Sequence, residues 1–393
     1  MNATAGPAAA GGRRALPAGR GAALEHALAA LPIVVTAWLL WRYLTAHELG
    51  VDFEWAYWPA ARDLLHGASP YLWSHAQIAR AEVFVYPAAA AILLAPLGLC
   101  SRSVGDALFV ALTIAALAAT LRALAVRDWR VYAVALLWWP VVNGWQTANL
   151  TLLLGLATAL VWRHRDRPRL AGPLAALAIS LKPFMWPLGL WLLATRRYRQ
   201  AAWCAVSAVV INVIAWAVVG PGAVHQYLRL SGQVTAALYR TGYGLIALAA
   251  HFGAGRGLGT VVLIALSAAL AAACVAIARR GLDRESLTLC VALMLVASPL
   301  VWNHYFALLV VPLAIARPRL GGAWLAPLVL WLCPATDVAT WQALLAWTVV
   351  AGVLATLVRE PRLAGARSGA ALDAATPVGE PSGRPPARLG LAR

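Results

Sequence analysis

The sequence predicts an all-α polytopic membrane protein, and three observations carry that prediction. It is 62% hydrophobic and only 12% charged, where soluble domains carry roughly a quarter charged residues. Apolar runs recur along most of its length. Between those runs the arginines gather in short clusters: RHRDRPR at 163–169, RRYR at 196–199, ARRGLDRE at 278–285 and RPR at 317–319. That is the pattern of cytoplasmic loops under the positive-inside rule. It accounts for the net charge of +17 without invoking nucleic acid, which needs a basic patch on an exposed face.

Residues 1–27 are rich in Gly, Ala, Pro and Arg and read as a disordered cytoplasmic N-terminus. The first apolar run, near 28–46, ends in WRYL rather than a small-residue cleavage site, so it reads as an uncleaved anchor. Residues 47–103 follow as an external segment. Within it Pro59 suits the first turn of a short helix. Trp58, Ala61, Leu64 and Leu65 recur at helical spacing with Arg62 and Asp63 facing away, an amphipathic helix in the membrane interface. HGASPYLW at 66–73 ends it with Gly and Pro.

Further apolar helices are expected near 104–122, 131–143, 149–162, 170–182, 184–195, 200–219, 258–278, 286–300, 304–316, 321–333 and 339–357. With the first run they make about twelve spans, several shorter than the roughly 20 residues a bilayer core requires. The run PAAAAILLAPLGLC at 87–100 is short and bracketed by prolines, and reads as a re-entrant segment. That parity puts every arginine cluster and both termini in the cytoplasm. A second external loop covers 220–257, the transmembrane domain is 28–358, and 359–393 is a disordered cytoplasmic tail lacking periodicity and aromatics. The location is then the plasma membrane, with the chemistry on the external face.

Scarcity marks the candidate residues. Only 15 acids occur in 393 residues, yet Asp52, Glu54 and Asp63 fall within twelve residues of one another beside Trp55, Tyr57 and Trp58. An external catalytic base must come from Glu48, Asp52, Glu54, Asp63, Glu82, Asp106 and Asp337, unless it is a histidine. Among 32 basic residues one is a lysine, Lys182. Its compact ammonium suits a single phosphate oxygen, where arginine offers a planar fork. His304 begins an apolar run, with Asn303 as its candidate N-cap. Singly, each of these residues also fits a satisfied polar group or a cap. Arg229 and Arg240 lie in the 220–257 loop. The five cysteines form no CxxC pair and read as small core residues. No HExxH or DxD triplet occurs, and no metal or other cofactor is expected.

Three blocks carry a resemblance. Asp52, followed by Phe53 and Tyr57, with the Gly67-to-Tyr71 turn and the Tyr86–Pro87 pair leading FVYPAAAAILLAPLG, resembles the start of glycosyltransferase family 87. LKPFMWPLGLWLLATRRYR resembles its Lys-Pro segment ahead of a basic loop. SPLVWNHYFALLVVP, with Trp302, His304 and Tyr305, resembles its Ser-Pro-x-x-Trp-x-His-Tyr segment. The family's Gly-Gln turn stands here as GWQTAN, with Trp145 in place of the glycine and Asn149 set later.

The resemblance implies a GT-C architecture and an inverting glycosyltransferase. Its donor would be a polyprenyl-phosphate sugar, commonly mannose and in some members arabinofuranose. Its acceptor would be a glycolipid or polysaccharide at the outer membrane face, with membrane lipids around it and no nucleic acid. It implies Asp52 as general base, with Glu54 as the fallback. Lys182 and His304 would meet the donor phosphate, helped by Arg240 or Arg62. Tyr57, Tyr86, Gln146, Asn149, Trp302, Asn303 and Tyr305 would bind substrate. Two other classes remain open on the residues alone. A lipid or sugar transporter would show inverted repeats and midplane charges, and an inactive envelope scaffold of the same fold would not need Asp52.

Overall fold

The computed structural model describes residues 18–359, with side chains from 30 to 358. Residues 1–17 and, Arg359 apart, the expected tail lie outside the described residues. All elements among the described residues are helical. Those that matter here are α1 (Ala18–Thr45), α2 (Trp58–Leu65), α3 (Arg102–Ala123), α4 (Trp139–Gln146), α5 (Thr151–Arg163), α6 (Pro168–Leu181), α7 (Tyr198–Val219), α8 (Ala223–Leu238), α9 (Arg256–Arg279), α10 (Asp283–Val296) and α11 (Thr340–Arg359). Helix α1 begins at Ala18, ten residues before the apolar run that announced it.

Among the described residues, four helices are long and apolar enough to cross a membrane: α3, α7, α9 and residues Thr340–Val358 of α11. Helix α7 shows why. It runs for 22 residues without Gly or Pro, and stops at Gly220, whose φ of +105° only glycine adopts freely, one residue before Pro221. Trp203, Val206, Val209, Val210, Val213, Ile214 and Val218 face outward from it. An apolar outer face of that extent belongs in lipid.

The helices among the described residues do not confirm the expected twelve spans. Counting the bent pair α4–α5 as one broken span raises the number from four to five. Prolines divide the remaining apolar runs, because each lacks an N–H and biases the residue before it away from helix. Pro183 and Pro187 split the 168–194 stretch into α6, a 3₁₀ turn Pro183–Met185 and the helix Pro187–Ala194. The 87–100 run is likewise divided, into Ala88–Leu94 and the 3₁₀ turn Ala95–Leu99, neither long enough to cross. Helix α2 forms where expected, with Pro59 in its first turn. Its buried residues are Ala60 and Ala61, while Leu65 is exposed, so its packed face is narrower than the expected stripe.

The core is aromatic. Phe53, Tyr57, Phe84, Trp138, Trp145, Trp191, Tyr243, Phe306 and Trp324 are fully enclosed. Two of its indoles donate to acceptors within the core, Trp138 Nε1 to the Trp324 carbonyl at 2.9 Å and Trp191 Nε1 to Ser286 Oγ at 3.0 Å. Four of the cysteines are buried and Cys100 is half-buried, all as free thiols. At the Arg-rich connectors Arg197 bonds Asp283 at 2.7 Å and Asp166 at 3.2 Å, tying together the turns that follow α5, precede α7 and precede α10.

Helices α6 and α7 cross at Gly172, where an added Cβ would lie 2.5 Å from Trp203 Cβ and 2.6 Å from the Gln200 carbonyl oxygen. Gly172→Val must push the helices apart. It is expected to lower stability by ~1–3 kcal/mol, read as a fall in the thermal midpoint of the detergent-solubilised protein by near-UV circular dichroism. An unchanged midpoint would show that the crossing tolerates separation.

Candidate functional site

Three breaks in helices meet around one cavity of about 500 Å³. The first is the turn after α1. Gly50, at φ +73°, has the Asp106 carboxylate where a Cβ would sit. Its N–H donates to the Gln146 carbonyl at 2.6 Å, and the Asp52 N–H donates to the Thr147 carbonyl at 2.9 Å. The carbonyls at the end of α4 lack partners within the helix, so this pairing satisfies them and pins the Asp52 backbone. A π-helical turn, Phe53–Tyr57, follows. It drives Phe53 into a stack on Phe109 at 5.6 Å and buries Tyr57. Such turns concentrate at functional sites.

The second break separates α4 from α5, which meet at 116°. Ala148 takes φ +54° there, a left-handed conformation that costs a residue with a Cβ roughly 1–2 kcal/mol. The bend turns Asn149 into the cavity wall. Its Oδ1 accepts from the Thr151 N–H at 3.0 Å and from Thr151 Oγ1 at 2.8 Å. The amide orientation is therefore fixed. Nδ2 donates to Asp52 Oδ2 at 2.5 Å and to the Tyr86 hydroxyl at 3.1 Å. Tyr57 donates to the same Tyr86 oxygen at 2.6 Å, and the Tyr71 hydroxyl holds the Tyr86 carbonyl at 2.9 Å.

The third break is Lys182–Pro183, where α6 ends with Lys182 extended at φ −151°. The Lys182 ammonium lies 4.1 Å from the Tyr305 ring centroid, 5.0 Å from Tyr86 and 5.5 Å from Phe184. Phe184 and Tyr305 stack at 4.9 Å. Ring faces attract a cation, yet Nζ has no hydrogen-bond partner and makes no ion pair. His304, in the 3₁₀ turn Asn303–Leu309, places Nδ1 3.2 Å from Asn143 Oδ1, and its Nε2 is buried without a partner.

Asp52 borders the open cavity, with protein on its other sides. Burial pushes its carboxyl above the ordinary value, while the Asn149 hydrogen bond and the Lys182 charge pull it back. Burial lowers Lys182 to about 7, against the opposing pull of Asp52. The two line one cavity without forming an ion pair.

Asp52, Tyr57, Tyr86, Gln146, Asn149, Lys182, Trp302, His304 and Tyr305 all line this cavity. Four expected residues lie elsewhere. Glu54 pairs with Arg102 at 2.7 Å, since residues two apart on a helical turn face different sides. Arg62 is exposed over the Trp58 ring, and Arg240 is exposed over Tyr239. Asn303 is fully buried, away from the cavity wall. It does not cap the helix; Trp302 holds the cap position, and no side-chain cap bond forms.

Several wall residues escaped the sequence reading: Asn143, Phe184, Tyr227, Ser231, Thr235 and Arg80, the last joined at 2.8 Å to Glu82, one of the seven candidate acids. The 220–257 stretch, expected as a loop, contains α8, which supplies Tyr227, Ser231 and Thr235. A signal was present, since Ala223, Tyr227, Leu230, Val234 and Leu238 recur at helical spacing. Thr151 carried no signal of its own. Among the described residues no three His, Cys, Asp or Glu side chains gather as a metal site.

The fold and site together define an all-helical membrane protein whose broken helices surround a cavity lined by the Asp52 carboxylate and the buried Lys182 ammonium. The sequence model of glycosyltransferase family 87 matches residues 84–299, more than half of the chain. The chain belongs to glycosyltransferase family 87. No curated protein and no solved structure matches it.

Asn149→Leu removes the side-chain donor to Asp52. The Asp52 pKa is expected to rise further, by about one to two units, the equivalent of a ~1.5–3 kcal/mol charged hydrogen bond. Difference infrared spectra taken against Asp52→Asn would show the carboxylic-acid band persisting to higher pH. No movement of that titration would remove Asn149 as the group that holds the charge.

Proposed function

We propose that this protein transfers a sugar, mannose as the first candidate, from a polyprenyl-phosphate donor to a glycolipid or polysaccharide acceptor at the outer membrane face, with inversion and within a GT-C-type scaffold. The observation that carries the reading is the unpartnered Lys182 ammonium in the same cavity as the Asp52 carboxylate. A cation without an anion, held by three ring faces, suits a phosphate that arrives with its substrate.

In a single displacement the acceptor oxygen attacks the anomeric carbon as the bond from that carbon to the phosphate oxygen breaks. Asp52 takes the acceptor hydroxyl proton. The polyprenyl phosphate leaves with the bonding electrons, and Lys182 stabilises the charge that gathers on it. Tyr57 and Tyr86 stand behind Asp52, and Trp302 and Tyr305 give the cavity aromatic walls suited to a sugar. Glu54 is not needed as base, because its carboxylate is paired with Arg102 outside the cavity. Arg62 and Arg240, both exposed and off the cavity wall, are not assigned to the phosphate.

Purified protein supplied with radiolabelled polyprenyl-phosphate mannose and membrane lipid extract tests the reading. Asp52→Asn is expected to lower transfer about 10²–10⁴-fold, and Lys182→Ala about 10²–10³-fold, while Glu54→Gln retains activity. Equal transfer by wild type and a folded Asp52→Asn would overturn Asp52 as base. Arabinofuranose is the second donor to supply, and failure with both donors would favour a transporter or a scaffold.

The two pKa shifts set a pH profile. The base form of Asp52 is lost as pH falls through its raised value, and the charged form of Lys182 is lost as pH rises past about 7. The kcat/KM profile is therefore expected to be bell-shaped, with apparent values that belong to the pair. In the kcat profile the alkaline limb should lie higher, because bound phosphate restores the ammonium. Coincident alkaline limbs would argue against phosphate at Lys182.

A further inference from the structure

A chain of hydrogen bonds runs through α4 and ends on His304. Its first link cannot be reversed. The Glu48 backbone carbonyl has only lone pairs to offer, so Gln146 must donate to it through Nε2, at 2.6 Å. That orients the amide and leaves Gln146 Oε1 to accept from Asn143 Nδ2 at 3.3 Å. Asn143 then presents its Oδ1 to His304 Nδ1, at 3.2 Å. An acceptor facing Nδ1 keeps the proton there, and in a neutral imidazole the other nitrogen becomes a bare acceptor. Burial, with the Lys182 charge beside it, holds the ring well below its ordinary value, so it is neutral. The unpartnered nitrogen is Nε2, and the ring lines the cavity.

A lone pair at Nε2 selects its ligand. A phosphate oxygen is itself an acceptor and gains nothing there, whereas a hydroxyl donates. We infer that His304 Nε2 accepts a hydrogen bond from a hydroxyl of the sugar-bearing substrate, and that Gln146 and Asn143 are positioning residues that hold the ring in the required tautomer. This rests on the reading that the cavity takes a glycosylated lipid phosphate, and it moves His304 from the phosphate to the sugar. It divides the polar contacts by kind: Lys182 serves the anion, and His304 serves a hydroxyl. A site built to hold a hydroxyl discriminates strongly against a ligand that lacks it.

Two measurements on full-length protein in detergent test the inference. In ¹⁵N-histidine-labelled protein the His304 signals, identified by their loss in His304→Gln, are expected to show the Nδ1–H tautomer, and Asn143→Leu is expected to abolish that preference. An Nε2–H tautomer in wild type overturns the inference. Tryptophan fluorescence then follows binding of two probes, a short-chain prenyl phosphate and its mannosyl phosphodiester. His304→Phe is expected to weaken the mannosyl ester about tenfold, the scale of one hydrogen bond, and to leave the unglycosylated phosphate unaffected. Equal weakening of both probes assigns the ring to the phosphate and overturns the inference. If neither probe binds wild type, the lipid-phosphate reading fails, and the tautomer alone decides the role of His304.

Discussion

Asp52 and Lys182 bring opposite charges into one cavity and do not meet. Burying either group costs several kcal/mol unless something replaces its water, and direct pairing would have been the simplest replacement. Each is supported separately instead. Asp52 receives the Asn149 amide, and Lys182 sits among the rings of Tyr86, Phe184 and Tyr305. Both groups line the one cavity without pairing, and the neighbouring contacts hold each in place. Thr151 fixes the Asn149 amide, Tyr57 and Tyr71 fix Tyr86, and Phe184 stacks on Tyr305.

That arrangement requires broken helices. A continuous helix satisfies its own backbone but turns its side chains outward at fixed angles. A break frees backbone groups, and at membrane depth those must find partners inside the protein. Here they do. The carbonyls of Gln146 and Thr147 receive the N–H groups of Gly50 and Asp52, and the Tyr243 N–H reaches the Val301 carbonyl at 2.7 Å. Pro183, one of the prolines that interrupt the apolar runs, makes the break at Lys182, whereas the other two breaks turn at Gly50 and Ala148.

The reach of the sequence differed from residue to residue. Asp52 and Lys182 stood out by rarity and His304 by its motif, and all three line the cavity. Arg62 and Arg240 stood out by charge, and both ended on the surface, because a long basic side chain on an amphipathic helix or an exposed turn reaches water readily. Glu54 was the fallback to Asp52, and the structure sends its carboxylate to Arg102 while Asp52 meets Asn149. The GWQTAN stretch, which departs from the family's pattern, supplies the amides of Gln146, bonded to the Glu48 carbonyl, and Asn149, bonded to Asp52.

By itself the sequence determined the class, since an apolar, acid-poor chain with arginine-clustered connectors has no stable home but a membrane. It also determined the family and the two charges at the centre of the site, because scarcity and motif are properties of the linear chain. What only the tertiary structure decided was which polar groups face one another. Asn149 meets Asp52 across 97 residues and Asn143 meets His304 across 161. The direction of a hydrogen bond, and with it the tautomer of a histidine, is a property of such pairs, and no single residue carries it.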